Sequence, residues 1–162
     1  MHVSNLISFQ AVLVMLLLIT QEATSSKYQP RRVEFGRCTK DEPMPRAMFI
    51  TCANKKGTAC EVRMGGVHKV QVVFVPEYNS TDVDSRIAWN NDWLEVEMPN
   101  QNRNPCDGMM ECPLEEQHIT RFDYSLKIES FWIRGVYPVI WRLTDRMTNK
   151  PVVCLKFKME VV

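Results

Sequence analysis

Apolar and polar residues alternate along much of the second half of the chain, and the period is two rather than 3.6. The clearest run is residues 120–128, where apolar side chains fall on one face and charged side chains on the other. This alternation is typical of strands that bury one face. Similar runs at residues 94–98, 137–145 and 153–161 predict three more half-buried strands.

The segment at residues 69–75 has a different pattern, because it is apolar at nearly every position before Pro76. A continuous apolar run of this length predicts a strand that is covered on both faces. Two more strands are expected to flank residues 52–60, which read as a hairpin loop. After the first 26 residues, no stretch of ten or more has the period of an amphipathic helix.

About seven strands without covering helices can bury their apolar faces only against each other. We therefore expect an all-β fold, a β-sandwich with Greek-key connections. No internal repeat, low-complexity tract or linker divides the sequence. A single domain over residues 26–162 is the expected organisation.

The N-terminal residues have the pattern of a secretory signal peptide. Residues 11–19 are an apolar run too short to span a bilayer, and small and polar residues follow it. We expect a signal peptide over residues 1–25, with cleavage near Ser25 or Ser26. A buried core segment is the alternative, because only His2 stands where a lysine or arginine is usual.

All six cysteines of the chain lie after this segment, which favours disulfides over a metal site. A structural zinc site normally uses closer pairs such as C-x-x-C. The two histidines outside the signal segment, His68 and His118, do not have the spacing of metal ligands. We expect no metal and no cofactor.

Six cysteines permit 15 disulfide connectivities. The short separations favour Cys52 with Cys60 and Cys106 with Cys112 as local pairs, which would leave Cys38 to pair with Cys154. Other connectivities remain open on the sequence alone.

The formal charge is +1, or +2 once Glu22 is removed with the signal segment. A chain this close to neutral lacks the excess of positive charge that is typical of nucleic-acid-binding proteins. The sequon at Asn79, in a polar stretch after a predicted strand, predicts a glycosylated and exposed loop.

Several motifs together resemble the ML-domain family, a lipid-recognition family that includes soluble Niemann-Pick type C sterol carriers and group-two mite allergens. They are C-x5-C-P-L at residues 106–114, W-x-L-x-D at residues 141–145, and Cys154 shortly before a terminal alternating strand. The resemblance covers residues 36–162. It implies an immunoglobulin-like sandwich of antiparallel strands, an apolar cavity between two splayed sheets, and the three disulfide pairs named above.

The resemblance also implies a set of ligand-binding residues. Ile128, Trp132 and Met98 match positions at the mouth of the cavity, and Trp141 matches a cavity-lining tryptophan. An ordinary packed core is the alternative interpretation of the same apolar faces. The full expected set of lining and mouth residues is Val72, Phe74, Leu94, Val96, Met98, Phe122, Tyr124, Leu126, Ile128, Trp132, Val139 and Trp141.

These expectations leave three functional hypotheses. The first is a secreted, monomeric carrier of a sterol, fatty acid or similar apolar ligand, which a membrane receptor or transporter could accept from it. The second is an interaction protein of innate immunity that presents microbial glycolipid to a receptor. The third, a hydrolase, is the least favoured because the chain has no G-x-S-x-G motif, so we expect no enzyme. The expected location is extracellular, with the lysosomal lumen as the alternative.

Overall fold

The computed structural model describes residues 28–54, 59–90 and 93–162. The expected signal peptide and residues 55–58 of the expected hairpin loop lie outside this part. Within it, the chain forms nine strands and no helix, so no helix there is long and apolar enough to cross a membrane. The strands are β1 (Gln29–Arg32), β2 (Ala47–Asn54), β3 (Cys60–Val62), β4 (Val67–Phe74), β5 (Val83–Asn90), β6 (Glu95–Glu97), β7 (Thr120–Lys127), β8 (Gly135–Asp145) and β9 (Pro151–Val161).

The strands form one curled sheet in the order β6-β5-β8-β9-β3-β2-β4-β7, and β1 pairs with β2. β3 connects the two walls of the fold, because it pairs with β9 on one side and with the end of β2 on the other. One wall contains β6, β5, β8, β9 and β3, and the other contains β1, β2, β4 and β7. All named pairs are antiparallel except β3 with β9. The expected all-β sandwich is confirmed.

Alternate residues of each long strand face the space between the walls. In β7, every second residue is buried from Thr120 onward, as the sequence predicts. β4 also alternates, with exposed Val67 and Lys69 on its outer face. The expectation that both faces of β4 are covered is therefore wrong. Of the two valines on that outer face, Val67 is exposed and Val73 is half-buried.

The three expected disulfides are present. Cys38 and Cys154 join the start of the domain to β9 across 116 residues, with Cα atoms 5.9 Å apart. The two local bridges join β2 to β3 and close a short loop before β7. They are Cys52–Cys60 and Cys106–Cys112.

Candidate functional site

Two ends of the sandwich can be distinguished from the strand register. At the first, Val67 at the start of β4 pairs with Lys127 at the end of β7. Gly135 at the start of β8 pairs there with Val161 at the end of β9. We call this the rim end, and we call the opposite end, which contains the β8–β9 turn, the turn end.

Three aromatic side chains pack against each other in the interior, and we call them the buried trio: Phe122, Tyr124 and Trp141. The ring of Trp141 meets the other two edge-on, at centroid distances of 5.5 and 5.0 Å. Its indole Nε1 donates a 2.9 Å hydrogen bond to Ser85 Oγ. The Tyr124 hydroxyl accepts a 3.1 Å bond from the Asn102 backbone N–H, and burial raises the pKa of this tyrosine. The polar atoms of the trio are thus satisfied inside the fold.

A second set of three aromatic side chains, the half-buried trio, lies at the rim end: Trp89, Trp132 and Tyr137. The Tyr137 ring lies 6.2 Å from Trp89 and 5.3 Å from Trp132 between centroids. Its hydroxyl donates a 2.6 Å bond to the Ile133 carbonyl, which fixes the loop between β7 and β8 against β8. All three rings are only partly buried, so they connect the interior to the surface.

Most of the predicted lining residues lie on the inward faces of the two walls. Ile128 is buried, and its backbone N–H donates to the Gly66 carbonyl. Met98 is also buried, beside β5, whereas Trp132 is half-buried. The other predicted residues that the structure brings into the buried interior are Val72, Phe74, Phe122, Tyr124, Leu126, Val139 and Trp141.

Leu94 and Val96 belong to the predicted set of lining and mouth residues, and the structure leaves both exposed. The alternation in residues 94–98 is real, but the structure forms only the three-residue strand β6 there, and its residues are all exposed. Leu94 is 59% exposed and Val96 is 43% exposed. Because β6 is at the edge of its wall, their side chains lie outside the buried interior that Met98 joins.

Exposed apolar side chains are concentrated at the rim end. Among the described residues, nine large hydrophobic side chains are exposed, and seven of them belong to this end. They come from the start of β4, the β5–β6 connection, β6, the β7–β8 loop and the start of β8. We call this group the apolar rim, and it consists of Val67, Trp93, Leu94, Val96, Phe131, Ile133 and Val136.

Some charged side chains at the rim end have partners of opposite charge, and others have none among the described residues. Glu129 accepts hydrogen bonds from Lys127 at 3.0 Å and from the Asn100 amide at 3.2 Å, which hold the pKa of this carboxyl below its usual range. By contrast, Arg134 and Arg63 are exposed and form no ion pair with any described residue. Two cationic groups therefore lie beside the apolar rim without a paired carboxylate among the residues that the structure describes.

At the turn end, the buried carboxylate of Asp145 organises the β8–β9 turn. It accepts hydrogen bonds from Ser80 Oγ, from the Thr148 backbone N–H at 2.6 Å and from Thr148 Oγ1 at 2.8 Å. These donors, the Ser80 hydroxyl first, hold the pKa of Asp145 below its usual range. Asn79 is exposed next to this site, and its Oδ1 accepts a 2.7 Å bond from the Glu116 backbone N–H.

Two other features of the described part are poor candidates for an apolar ligand or a metal. A concavity of about 770 Å³ on the outside of the β1–β2–β4–β7 wall is lined largely by polar side chains, including Gln71 and Asp123. A cluster of possible metal ligands contains Glu42 with Cys38 and Cys154. These cysteines are joined in a disulfide, so their sulfurs are not the thiolates that a metal needs.

Sequence reasoning missed two members of the half-buried trio. The alternation of β8 assigns Tyr137 to the same face as Val139 and Trp141, but Tyr137 was not included in the predicted set. The sequence pattern around Trp89 gives less indication that this residue faces inward. Its strand, β5, carries the inward Ser85, which interrupts the apolar face from which a strand is recognised.

Comparison with known proteins identifies the family. The profile of the ML domain matches residues 32–161, which is most of the chain. The chain belongs to the ML-domain family. Members of this family bind lipids and are not enzymes. No curated protein matches the sequence.

Two solved structures are similar to this chain at low sequence identity. The crystal structure of a Niemann-Pick type C2 protein from Japanese carpenter ant covers 80% of this chain and 99% of its own, with a TM-score of 0.71 and 14% identity. A crystal structure of chicken MD-1 complexed with lipid IVa covers 82% of this chain and 97% of its own, with a TM-score of 0.44 and 10% identity. The ant protein shows the same immunoglobulin-like sandwich for this ML domain.

Proposed function

We propose that this ML-domain protein is a secreted, monomeric carrier that holds a sterol, a fatty acid or a similar apolar ligand between its two walls. The observation that supports this most is the half-buried trio, which connects the apolar interior to the surface at the rim end. An apolar molecule that entered there would leave water at a gain of roughly 25 cal/mol per Å² of apolar surface buried. Membership of a lipid-binding family supports a lipid cargo without naming it.

We place the cargo in the half of the interior nearest the rim end. The buried trio already occupies its own region with tightly packed rings, whereas Trp132 and Tyr137 are partly exposed and can move aside at lower cost. Leu126, Ile128 and Val139 lie on the inward faces next to them. These five side chains would contact the apolar body of the ligand.

Secretion through the signal segment and a glycan on Asn79 belong to the same proposal. ML-domain proteins rich in disulfides are secreted or lysosomal. The three disulfides of this chain suit an oxidising compartment. The exposed Asn79 engages a backbone N–H through Oδ1, whereas a glycan is attached through Nδ2.

The glycolipid-presenting alternative is less well supported by the charges. It needs a cationic rim, and the sequence offers Arg121, Lys127 and Arg134 for it. Arg121 forms a 2.9 Å ion pair with Asp123, and Lys127 pairs with Glu129. Only Arg134 of the three forms no ion pair with the described residues, so we favour an apolar ligand.

The test is native mass spectrometry of the protein secreted from eukaryotic cells, followed by extraction and identification of the bound lipid. We expect one lipid per protein chain. A protein that is secreted empty and takes up no sterol, fatty acid or glycolipid from solution would contradict the carrier function.

A pair of neighbouring substitutions tests the position of the entrance. Trp132→Glu should lower cargo affinity by at least about tenfold, because a charge would replace an apolar contact of the ligand. Phe131→Glu is the control, since Phe131 is 69% exposed on the same loop and should leave uptake from solution unchanged. Equal effects of the two changes would contradict the role of Trp132.

A further inference from the structure

The concavity on the outside of the β1–β2–β4–β7 wall has no role in the proposed carrier function. Its volume of about 770 Å³ is in the range of small-molecule binding sites. Gly108 and Met109 border it beside β7, where the Asp123 backbone N–H donates a 2.8 Å bond to the Met109 carbonyl. Its floor is formed by outward residues of three neighbouring strands: Phe49, Thr51, Lys69, Gln71, Asp123 and Ser125.

The strand register arranges most of this floor in two rows across the sheet. Phe49 of β2 pairs with Gln71 of β4, which pairs with Asp123 of β7. In the next row, Lys69 pairs with Ser125. Because neighbouring strands lie about 4.8 Å apart, three side chains in one row extend over about 10 Å. The floor therefore has room for an extended ligand that lies across the strands.

The polar groups of the floor are partly fixed and partly uncommitted. Asp123 Oδ1 accepts a 2.8 Å hydrogen bond from Gln71 Nε2, and Oδ2 accepts a 2.9 Å bond from Arg121 Nε. A carboxylate has about four acceptor positions, so Asp123 can accept further bonds. The side chains of Lys69 and Ser125 have no hydrogen-bond partner among the described residues. Fixed acceptors beside uncommitted donors suit a ligand rich in hydroxyl groups, since each hydroxyl both donates and accepts.

Phe49 adds an aromatic ring to this polar floor. It is half-buried, and its register partner Gln71 is polar. A sugar ring has apolar C–H faces that can pack against an aromatic side chain, while the hydroxyl groups at its edge form hydrogen bonds. One aromatic ring in a row with an amide and a carboxylate therefore matches the chemistry of a sugar better than that of a lipid.

Two other kinds of ligand fit the concavity less well. A peptide that binds as an added strand needs an unpaired strand edge, but β2 and β4 are paired on both sides. A strongly anionic ligand needs an excess of positive charge. Arg121 is already paired with Asp123, which leaves Lys69 as the only cation of the described floor without an ion pair.

We propose that this concavity binds a neutral oligosaccharide, with a sugar ring against Phe49 and its hydroxyl groups bonded to Gln71 and Asp123. This goes beyond the proposed function, because a lipid held between the walls does not contact the outer face. The protein would then recognise a sugar chain and a lipid at separate sites.

The experiment is binding of the full secreted protein to an array of neutral oligosaccharides built from glucose, galactose, mannose and N-acetylglucosamine. Asp123→Ala should weaken binding at least about tenfold, because the sugar hydroxyls lose a charged acceptor. Asp41→Ala is the matched control, since Asp41 is an exposed carboxylate outside the concavity and its replacement should leave binding unchanged. No binding to any of these sugars, or equal effects of the two changes, would overturn the proposal.

The aromatic contact is tested with two changes at Phe49. Phe49→Leu should weaken binding by about threefold to tenfold, because it removes the ring but keeps an apolar side chain. Phe49→Tyr keeps the ring and should bind like the wild type. Urea unfolding checks that each variant is folded. Wild-type affinity in Phe49→Leu would overturn the contact between the sugar and the ring.

Further readouts distinguish a sugar site from other kinds of binding. Titration calorimetry with the free oligosaccharide should give the same affinity as the same sugar chain on a glycoprotein; binding of the glycoprotein alone would overturn the site in favour of a protein partner. Added salt should have little effect, whereas binding only to sulfated chains that salt abolishes would overturn a neutral ligand. Lipid uptake should be unchanged in Asp123→Ala, and sugar binding without lipid uptake in the wild type would overturn the carrier function alone.

Discussion

The two aromatic trios lie in the same space between the walls, yet their surroundings differ. In the buried trio, the Trp141 indole and the Tyr124 hydroxyl have hydrogen-bond partners within the fold, and the Trp141 ring meets the other two rings edge-on at 5.0 and 5.5 Å. In the half-buried trio, the centroids are 5.3 and 6.2 Å apart and each ring keeps some contact with solvent. The buried trio therefore stabilises the fold, whereas the half-buried trio leaves apolar surface that a ligand could cover.

This difference indicates how one sandwich can combine stability with binding. Burying a large aromatic ring completely contributes several kcal/mol, so the trio that is fully packed holds the walls together. A ring that stays half in water contributes less to folding but retains apolar area that a ligand can cover. We expect substitutions in the two trios to separate stability from binding.

The largest expected effect is on stability. Trp141→Ala should lower the free energy of unfolding by about 3–5 kcal/mol, since it leaves a cavity between the walls and removes the partner of Ser85. Trp89→Ala should cost only about 1–2 kcal/mol, because that ring is already partly solvated. Urea unfolding followed by circular dichroism measures both. Equal losses would show that the two trios contribute alike and would contradict the distinction.

Much of the fold could be predicted from local alternation, and the exceptions have physical causes. β7 follows its predicted pattern closely because one of its faces is packed and the other is exposed to solvent. The predicted face of β9 is also buried, but its first half is covered on both faces, since Val152 and Cys154 are buried as well. β5 was missed because Ser85 occupies an inward position. Its polarity is compensated by the Trp141 N–H of a neighbouring strand, and such a partner cannot be read from the β5 sequence.

The candidate site was less predictable than the fold. Alternation assigns a side chain to one face of a strand, but it does not reveal whether another wall covers that face. Val96 and Met98 share a parity, yet only Met98 has interior neighbours, because β6 is an edge strand. Likewise, alternation alone does not distinguish Trp132, which is half-buried, from Trp141, which is deep in the interior. Only the family resemblance assigned the first to the mouth and the second to the lining.

A smaller effect on stability is expected at the turn end, where the Asp145 carboxylate organises the β8–β9 turn. This effect should depend on pH. Ser80→Ala should lower the free energy of unfolding by about 1.5–3 kcal/mol at neutral pH, because Asp145 loses a hydrogen bond to its charged form. The pKa of Asp145 is lowered in the folded state. Its stabilising contribution is therefore fully present above the ordinary value of about 3.9 and is lost as the pH falls through the folded value.

The measurement is urea unfolding of the wild type and Ser80→Ala across the acid range. The difference between them should shrink as Asp145 becomes protonated. Ser125→Ala, at an exposed position on β7, is the control and should show a small difference at every pH. A loss for Ser80→Ala that stays constant down to the lowest pH would mean that the bond does not depend on the charge of Asp145.

The smallest stability effect is expected at Tyr137, where the consequence for binding should be larger. Tyr137→Phe removes the hydroxyl that holds the Ile133 carbonyl, at a cost of about 0.5–1 kcal/mol. Tyr78→Phe is a matched control at the turn end, because the Tyr78 hydroxyl donates a 2.9 Å bond to the Lys150 carbonyl. Both variants should lose similar stability. Only Tyr137→Phe should change the rate of lipid uptake in stopped-flow fluorescence, since only it releases the loop that carries Trp132; equal uptake rates in the two variants would place the entrance elsewhere.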